Sequence, residues 1–301
     1  MLGARRTPPL TAPEANPNTN TTILISTAVG FKPLSAEHYA EAAEQLKPDI
    51  VVGLADIPYG RALGSKRIQK ATDRSIQWME DHAVQRTHAA AGESQAKLFA
   101  PLLPVTCTNQ QYYVDCLTQD IASGVHGLAI HSLDALEDLP EALGHLPRLG
   151  FTAPRSPHDV LDHIASGVDV VTIPFISTAT DAGIALNFSF SESQRPVTDG
   201  VSLPLGIDMW AASHAVDLSP LVEGCSCHAC TNHHRAYMQH LLAAKEMLGW
   251  VLLQIHNHHL IERFFTAVRS SIAQSTFEQD VENFKKTYES RLPEKTGLGP
   301  R

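Results

Sequence analysis

With 301 residues and a hydrophobic fraction of 43%, the chain can bury a true core as one large domain or two small ones. Its 32 acidic against 23 basic residues give a net charge of −9, which argues against holding nucleic acid by overall field, because phosphate binding depends on clustered Lys and Arg. Five cysteines are too few for a disulfide scaffold. Met1–Thr21 has Arg5 and Arg6 but no apolar signal core, and no run approaches the ~20 apolar residues of a membrane helix, so the expected location is cytoplasmic.

Residues 1–20, rich in Pro, Thr and Asn, read as a disordered lead. Thr22–Thr27, short and β-branched, reads as a strand. Ser35–Leu46 reads as a helix with Ser35 as its cap, Asp49–Leu54 as a strand and Ser65–His82 as a helix. Leu98–Val105, Val125–Ile130, Leu149–Thr152 and Val168–Ile173 read as further strands. Between them, Gln110–Ala122, Leu133–Leu143 and Ser156–Ala165 read as helices, the last opened by Ser156-Pro157 with proline at the first helical position. Near-continuous apolar strands alternating with helices predict an α/β fold with a parallel sheet buried on both faces. No G-x-G-x-x-G follows the first strand and no phosphate-binding G-x-x-x-x-G-K-(S/T) run occurs, which favours a TIM-type (β/α)8 barrel over a doubly wound sheet. Around Gly183–Phe190 the pattern turns to strand alternation, and Ser191–Pro204 reads as a polar loop. His234–His256 reads as one long helix and Phe277–Arg291 as a charged helix, solvated on most of its face.

Three of the cysteines fall in Cys225-Ser226-Cys227-His228-Ala229-Cys230, a C-x-C-x-x-C run. Zinc takes soft thiolates with imidazole in a tetrahedron, so three clustered sulfurs require one more donor from elsewhere in the fold. His228, His233, His234, His240, His256, His258 and His259 all compete for that place. His256 lies near the end of the expected long helix, where a helix laid back over the cysteine loop would present it. A closed set of four leaves no open position for water, so the site is structural rather than catalytic. Three thiolates leave it about one unit negative.

The cysteine run continues into Asn232, His233, Arg235-Ala236-Tyr237, His240-Leu241-Leu242, Glu246-Met247-Leu248 and Ile255-His256-Asn257. This string resembles the metal signature of the tRNA-guanine transglycosylases, in which C-x-C-x-x-C is followed by R-A-Y-x-x-H-L, E-x-L and H-N. Lys66-Arg67 and Thr72-Asp73-Arg74-Ser75 resemble the same family, and the likeness covers nearly all of the chain beyond residue 20. The resemblance implies one structural zinc ion per chain, held by Cys225, Cys227, Cys230 and His256. It also implies a TIM-type barrel over 21–301 with an inserted zinc subdomain at about 217–260. Because the family's barrel begins with strands upstream of Thr22, that barrel is expected to be N-terminally incomplete here.

In this family an aspartate at the end of G-(V/I)-D-x-F-D attacks the ribose and guanine leaves. The matching stretch is Gly167-Val168-Asp169-Val170-Val171-Thr172, with Thr172 at the nucleophile position. A threonine hydroxyl without a base beside it is a poor nucleophile. Gly206-Ile207-Asp208-Met209-Trp210-Ala211 offers a second register, which places Ala211 there. The glutamine-containing G-x-V-Q-G-G pattern is replaced by Ala100–Val105, and the base-holding G-G-L-A-V-G-E loop by Leu128–Leu133. The acid expected near the second strand has at best Asp56, one position out of register with Ala55, and a buried structural role suits it equally. No catalytic residue is therefore expected. The resemblance implies a non-catalytic partner of a catalytic queuine tRNA-ribosyltransferase subunit in a heterodimer. That complex exchanges guanine for queuine at the wobble position of tRNAs with GUN anticodons, those for aspartate, asparagine, histidine and tyrosine, and this chain would meet tRNA through the complex. Two alternatives stand beside it: an active transglycosylase using Asp169 or Asp208, and a zinc-stabilised interaction protein without a tRNA role.

Overall fold

The parallel sheet expected from the apolar runs is present in a computed structural model, which describes residues 1–4, 18–57, 64–88, 96–119, 121, 124–190, 202–294, 296 and 297. The chain divides into two compact units, Met1–Ala153 with His163–Thr172, and Pro154–Asp162 with Ile173–Arg301.

In the first unit, β1 (Thr22–Thr27) and β2 (Gly30–Ser35) precede α1 (Ala36–Leu46) and β3 (Ile50–Val52). Then come α2 (Ser65–His88), β4 (Lys97–Pro101), α3 (Gln111–Gln119), β5 (Gly127–Ile130), α4 (Glu141–Gly144), β6 (Arg148–Gly150) and β7 (Val170–Val171); α5 (Pro157–Ala165), between β6 and β7 in the chain, belongs up to Asp162 to the second unit. Strands β3 to β7 form one parallel sheet in their chain order. Doubly wound sheets reverse order at a switch point, whereas a barrel adds each strand beside the last. Val51, Leu98, Leu128, Ala129 and Ile130 are fully buried in it, as strands covered on both faces require.

Ser35 caps α1 as expected, its hydroxyl accepting from His38 N–H at 3.1 Å. Ser156-Pro157 opens α5, with the Asp159 N–H on Ser156 Oγ at 3.4 Å. Thr22–Thr27 is a strand, but it does not join the parallel sheet; it pairs antiparallel with β2, Thr22 opposite Ser35 through Thr27 opposite Gly30. Pro33 hid that hairpin in the sequence, because proline marks a strand only where its missing N–H is not needed, as on an edge. Gly30 turns the chain at φ +101°, open to glycine. The helix expected over Leu133–Leu143 is instead a 3-10 turn at Leu133–Leu136 and the single turn of α4, parted by Asp138 at φ +57° and by Pro140.

Of the lead expected over 1–20, residues 5–17 lie outside the described residues. At its ends, Leu2 bridges to Val51 in parallel, on the outer edge of β3, and Asn18 donates to Asp56 at 2.6 Å. Asp56 is fully buried, and Arg67 grips it through both guanidinium nitrogens at 2.7 and 2.8 Å, with Arg74 at 2.8 Å. Its own N–H donates to Ser75 Oγ at 3.1 Å. Desolvation would raise this carboxyl, but Arg67, Arg74 and Asn18 outweigh it and hold its pKa below the usual value. Asp56 is thus the internal counter-ion that ties the stretch after β3 to α2.

The second unit holds α6 (Phe175–Ala182), β8 (Ile184–Leu186), β9 (Gly206–Asp208), α7 (His228–Asn232), α8 (Arg235–Ala243), α9 (Met247–Ala273) and α10 (Phe277–Thr287). The alternating strand expected at Gly183–Phe190 is three residues long, buried throughout, and antiparallel to β9. The loop expected at Ser191–Pro204 lies, up to residue 201, outside the described residues. The single helix expected at His234–His256 is two helices. Lys245 takes φ +58°, its N–H donates to Leu242 O at 3.0 Å, and Glu246 N–H donates to Leu241 O at 2.8 Å. That is a Schellman stop with lysine where glycine usually sits, and so it carries no sequence signal. The turn lets α8 and α9 pack so closely that a Cβ at Gly249 would meet Leu241 Cβ at 3.2 Å and Leu242 Cδ2 at 3.3 Å. Among the described residues no helix is long and apolar enough to cross a membrane.

Candidate metal centre

The C-x-x-C half of the cysteine run wraps the start of α7. Cys227 caps that helix, and its sulfur faces the Cys230 N–H at 3.4 Å. Cys225 stands just before, in the turn after Gly224, its N–H on Val222 O at 3.2 Å. All three lie in an apolar cluster with Met209, Leu221, Met238, Leu241, Leu242, Leu252 and Leu253. From α9, His256 brings Nδ1 to 3.7, 3.5 and 3.4 Å from the sulfurs of Cys225, Cys227 and Cys230. The four ligand atoms lie within 4.8 Å of one another and could hold a metal ion. Bonds of about 2.3 Å to sulfur and about 2.0–2.1 Å to nitrogen give a nitrogen–sulfur edge of about 3.6 Å in a tetrahedron. The observed contacts bracket that edge.

The ring's other nitrogen supports the same use. Nε2 lies 2.9 Å from the Leu186 carbonyl, so a proton there leaves the Nδ1 lone pair facing the sulfurs. Desolvation opposes charge on His256, but the three sulfurs and that carbonyl outweigh it and raise its pKa to about 12. The same negative field attracts a cation. Desolvation also opposes the Cys227 thiolate, yet His256 and the Cys230 N–H bring its pKa down to about 6, whereas burial pushes Cys230 up. Among the described residues, His256 is the histidine gathered with the three cysteines, and three of its rivals make other contacts. His234 caps α8 by accepting from Tyr237 N–H at 3.1 Å, His258 contacts Gln254 at 2.6 Å and His259 contacts Ser226 Oγ at 3.4 Å.

Asn257 is the residue that sequence reasoning passed over. It is fully buried, accepts from Leu186 N–H at 2.8 Å, and donates to Ile184 O and Thr180 Oγ1 at 3.0 Å each. The adjacent side chains His256 and Asn257 thereby hold both backbone groups of Leu186, and they lock α9 to β8 at the metal ligand. Its place in the His256-Asn257 pair was the available signal.

Neither acid weighed as a nucleophile is among the described residues that line the cavity at Thr172. Asp169 precedes β7 at its N-terminal end, exposed, and accepts from Arg148 N–H at 2.8 Å. Asp208 is bound by Trp210 N–H at 3.1 Å and by the Thr296 hydroxyl. Thr172 follows β7 at the opposite end, where barrel chemistry sits. Its hydroxyl donates to Gly150 O at 3.0 Å. It lines a cavity of about 310 Å³ together with Gly53, Ala55, Pro101, His131 and Phe151, beyond the C-terminal ends of β3 to β6, and no described lining residue is a carboxylate.

The sequence matches the Queuine tRNA-ribosyltransferase family over residues 3–290. The chain belongs to the queuine tRNA-ribosyltransferase family. Within it, the chain is 35% identical over 305 residues to a Schizosaccharomyces pombe protein named queuine tRNA-ribosyltransferase accessory subunit 2, covering 100% of this chain and 67% of the relative. Proteins of the same name from Aedes aegypti and Drosophila pseudoobscura pseudoobscura are 29% and 32% identical, over 85% and 83% of this chain and 64% and 61% of their own lengths. The chain thus spans 61–67% of the length of these relatives. In this member of the queuine tRNA-ribosyltransferase family the four Cys and His side chains are gathered as a set, while no described residue lining the strand-end cavity is a carboxylate.

Proposed function

We propose that this chain is a non-catalytic subunit of a queuine tRNA-ribosyltransferase. It would pair with a catalytic subunit of the family in the cytoplasm and support exchange of guanine for queuine at the wobble position of tRNAs with GUN anticodons. The carrying observation is Thr172. At the position where the family pattern has its nucleophile stands a hydroxyl already donated to Gly150 O, in a cavity whose described lining offers no carboxylate to take its proton. The accessory-subunit names of the relatives point the same way. Zinc is the proposed ion, because three thiolates and one imidazole, with no fifth His, Cys, Asp or Glu donor among the described residues, make a closed tetrahedral set. Its contribution when bound is structural: it crosslinks the α7 loop to α9. The sequential parallel strands support a TIM-type barrel over 21–301, with the zinc subdomain at about 217–260 as its insertion. With a net charge of −9, tRNA is met through the complex rather than by this chain alone.

Guanine exchange into tRNA, measured with the chain alone, with a catalytic subunit, and with both, tests the role. The chain alone is expected to show no turnover, and Thr172→Asp to stay inactive alone because no described lining residue supplies a second carboxylate. Turnover by the unaltered chain without a partner would reject the reading.

A further inference from the structure

We propose that His158 makes the seam between α5 and α10 acid-sensitive, so that a proton on its buried ring releases α10. His158 is the second residue of α5 and is 7% exposed. Its ring lies 5.1 Å from the ring of Phe284 on α10, tilted by 55°. Phe284 is itself fully buried and is the hub of an aromatic cluster, with the rings of Phe188, Phe190, Phe264 and Tyr288 at 4.8–6.0 Å. An imidazole therefore closes the α5 side of an otherwise apolar contact.

Both ring nitrogens of His158 are buried, and among the described residues neither has a hydrogen-bond partner. Buried polar groups are paired as a rule, so an orphaned histidine is an exception with a cost. The neutral ring leaves one donor and one acceptor unmet, whereas the protonated ring leaves two donors and a charge unmet. The Phe284 ring returns part of that cost as a cation–π contact, but it accepts no strong hydrogen bond. The charged groups nearby do not make up the rest. Lys285 on α10 adds a like charge, and Asp162 on α5, which attracts a cation, is already paired with Lys285 at 2.5 Å. Asp159 on α5 attracts it more weakly. Burial first and Lys285 second hold the pKa of His158 below its ordinary 6.5, against the opposing pull of the Tyr288 backbone, Asp162 and Asp159.

Once α10 lifts away, the ring meets water and takes its proton at the ordinary value. The contribution of the seam to stability is therefore complete above about pH 6.5 and is lost as pH falls through that value toward the lower folded one. Release reaches beyond the helix. Leu203 N–H donates to Thr287 O at 2.8 Å and Glu289 N–H donates to Leu203 O at 2.9 Å, so the pairing at the end of α10 goes with it.

The test follows amide exchange in the metal-loaded full chain from about pH 7.5 to about pH 5.5, corrected for the intrinsic pH dependence of exchange. In the parent, protection of α10 and of Leu203 is expected to fall by about tenfold relative to that of β5. His158→Phe keeps a ring against Phe284 and His158→Gln keeps a polar group, but neither titrates, and both are expected to hold their protection ratio within about twofold. Metal content, checked at each pH, is expected to be the same in all three chains. Equal loss in the parent and the variants would overturn the proposal, as would a parent that loses nothing. If His158→Phe fails to fold, the glutamine variant and a magnetic-resonance titration of the His158 ring in the parent decide. A folded-state ring that takes its proton at or above the ordinary 6.5 overturns the proposal.

Discussion

Replacing His256 with alanine, or stripping the ion with a strong chelator, is expected to melt the cluster formed by the cysteine loop, α7, α8 and the first half of α9. The cysteine ligands are themselves part of the apolar core there, packed with Leu221, Met238, Leu242 and Leu253. Removing the imidazole leaves three buried sulfurs with a common need for positive charge and no partner to supply it. Structural zinc sites of this kind contribute apparent binding free energies of about 10–16 kcal/mol, comparable to the ~5–15 kcal/mol by which whole domains are stable. Elemental analysis is expected to give one zinc per parent chain and a deficit in His256→Ala, with early loss of helical signal on heating. An unchanged melting curve after complete removal of the metal would show that the four side chains do not hold the fold.

Asp56→Ala is expected to cost about 3–5 kcal/mol, the usual range for removing one member of a buried ion pair. The cost comes from what stays behind. Arg74 is itself buried, and Arg67 and Asn18 lose a shared acceptor at the same time. Thermal unfolding is expected to fall by on the order of 10 °C. The ion pair also sets an acid limit. The folded-state pKa of Asp56 is depressed, so its contribution is complete above the unfolded value of about 3.9 and is lost as pH falls through the lower folded value. A stability profile of the parent against pH therefore slopes downward below about pH 4, and the slope shrinks in Asp56→Ala. A variant as stable as the parent would mean that the arginines find other partners and that Asp56 does not tie the stretch after β3 to α2.

The features legible in the sequence are those with local causes. Ser35 and the Ser156-Pro157 pair announce helix starts because a cap acts on N–H groups two or three residues away. The apolar runs from Ile50 to Val171 announce a parallel sheet because strands buried on both faces need no polar alternation. The C-x-C-x-x-C run announces a metal because one helical turn suffices to bring Cys227 to Cys230. Spacing alone leaves seven histidines competing for the fourth ligand place; family resemblance singles out His256, whose Nδ1 the fold brings to the three sulfurs.

What only the tertiary structure decided depends on contacts between distant segments. The halt at Lys245 has no glycine to mark it and is held by the packing of α8 against α9. Asp56 becomes a counter-ion only when Asn18, Arg67 and Arg74 converge on it. Asn257 lies 71 residues from the Leu186 N–H that it binds. Local steric and hydrogen-bonding preferences act within a few residues and can be read along the chain; which side chains meet across dozens of residues is settled by burial and close packing, which exist only once the chain has folded.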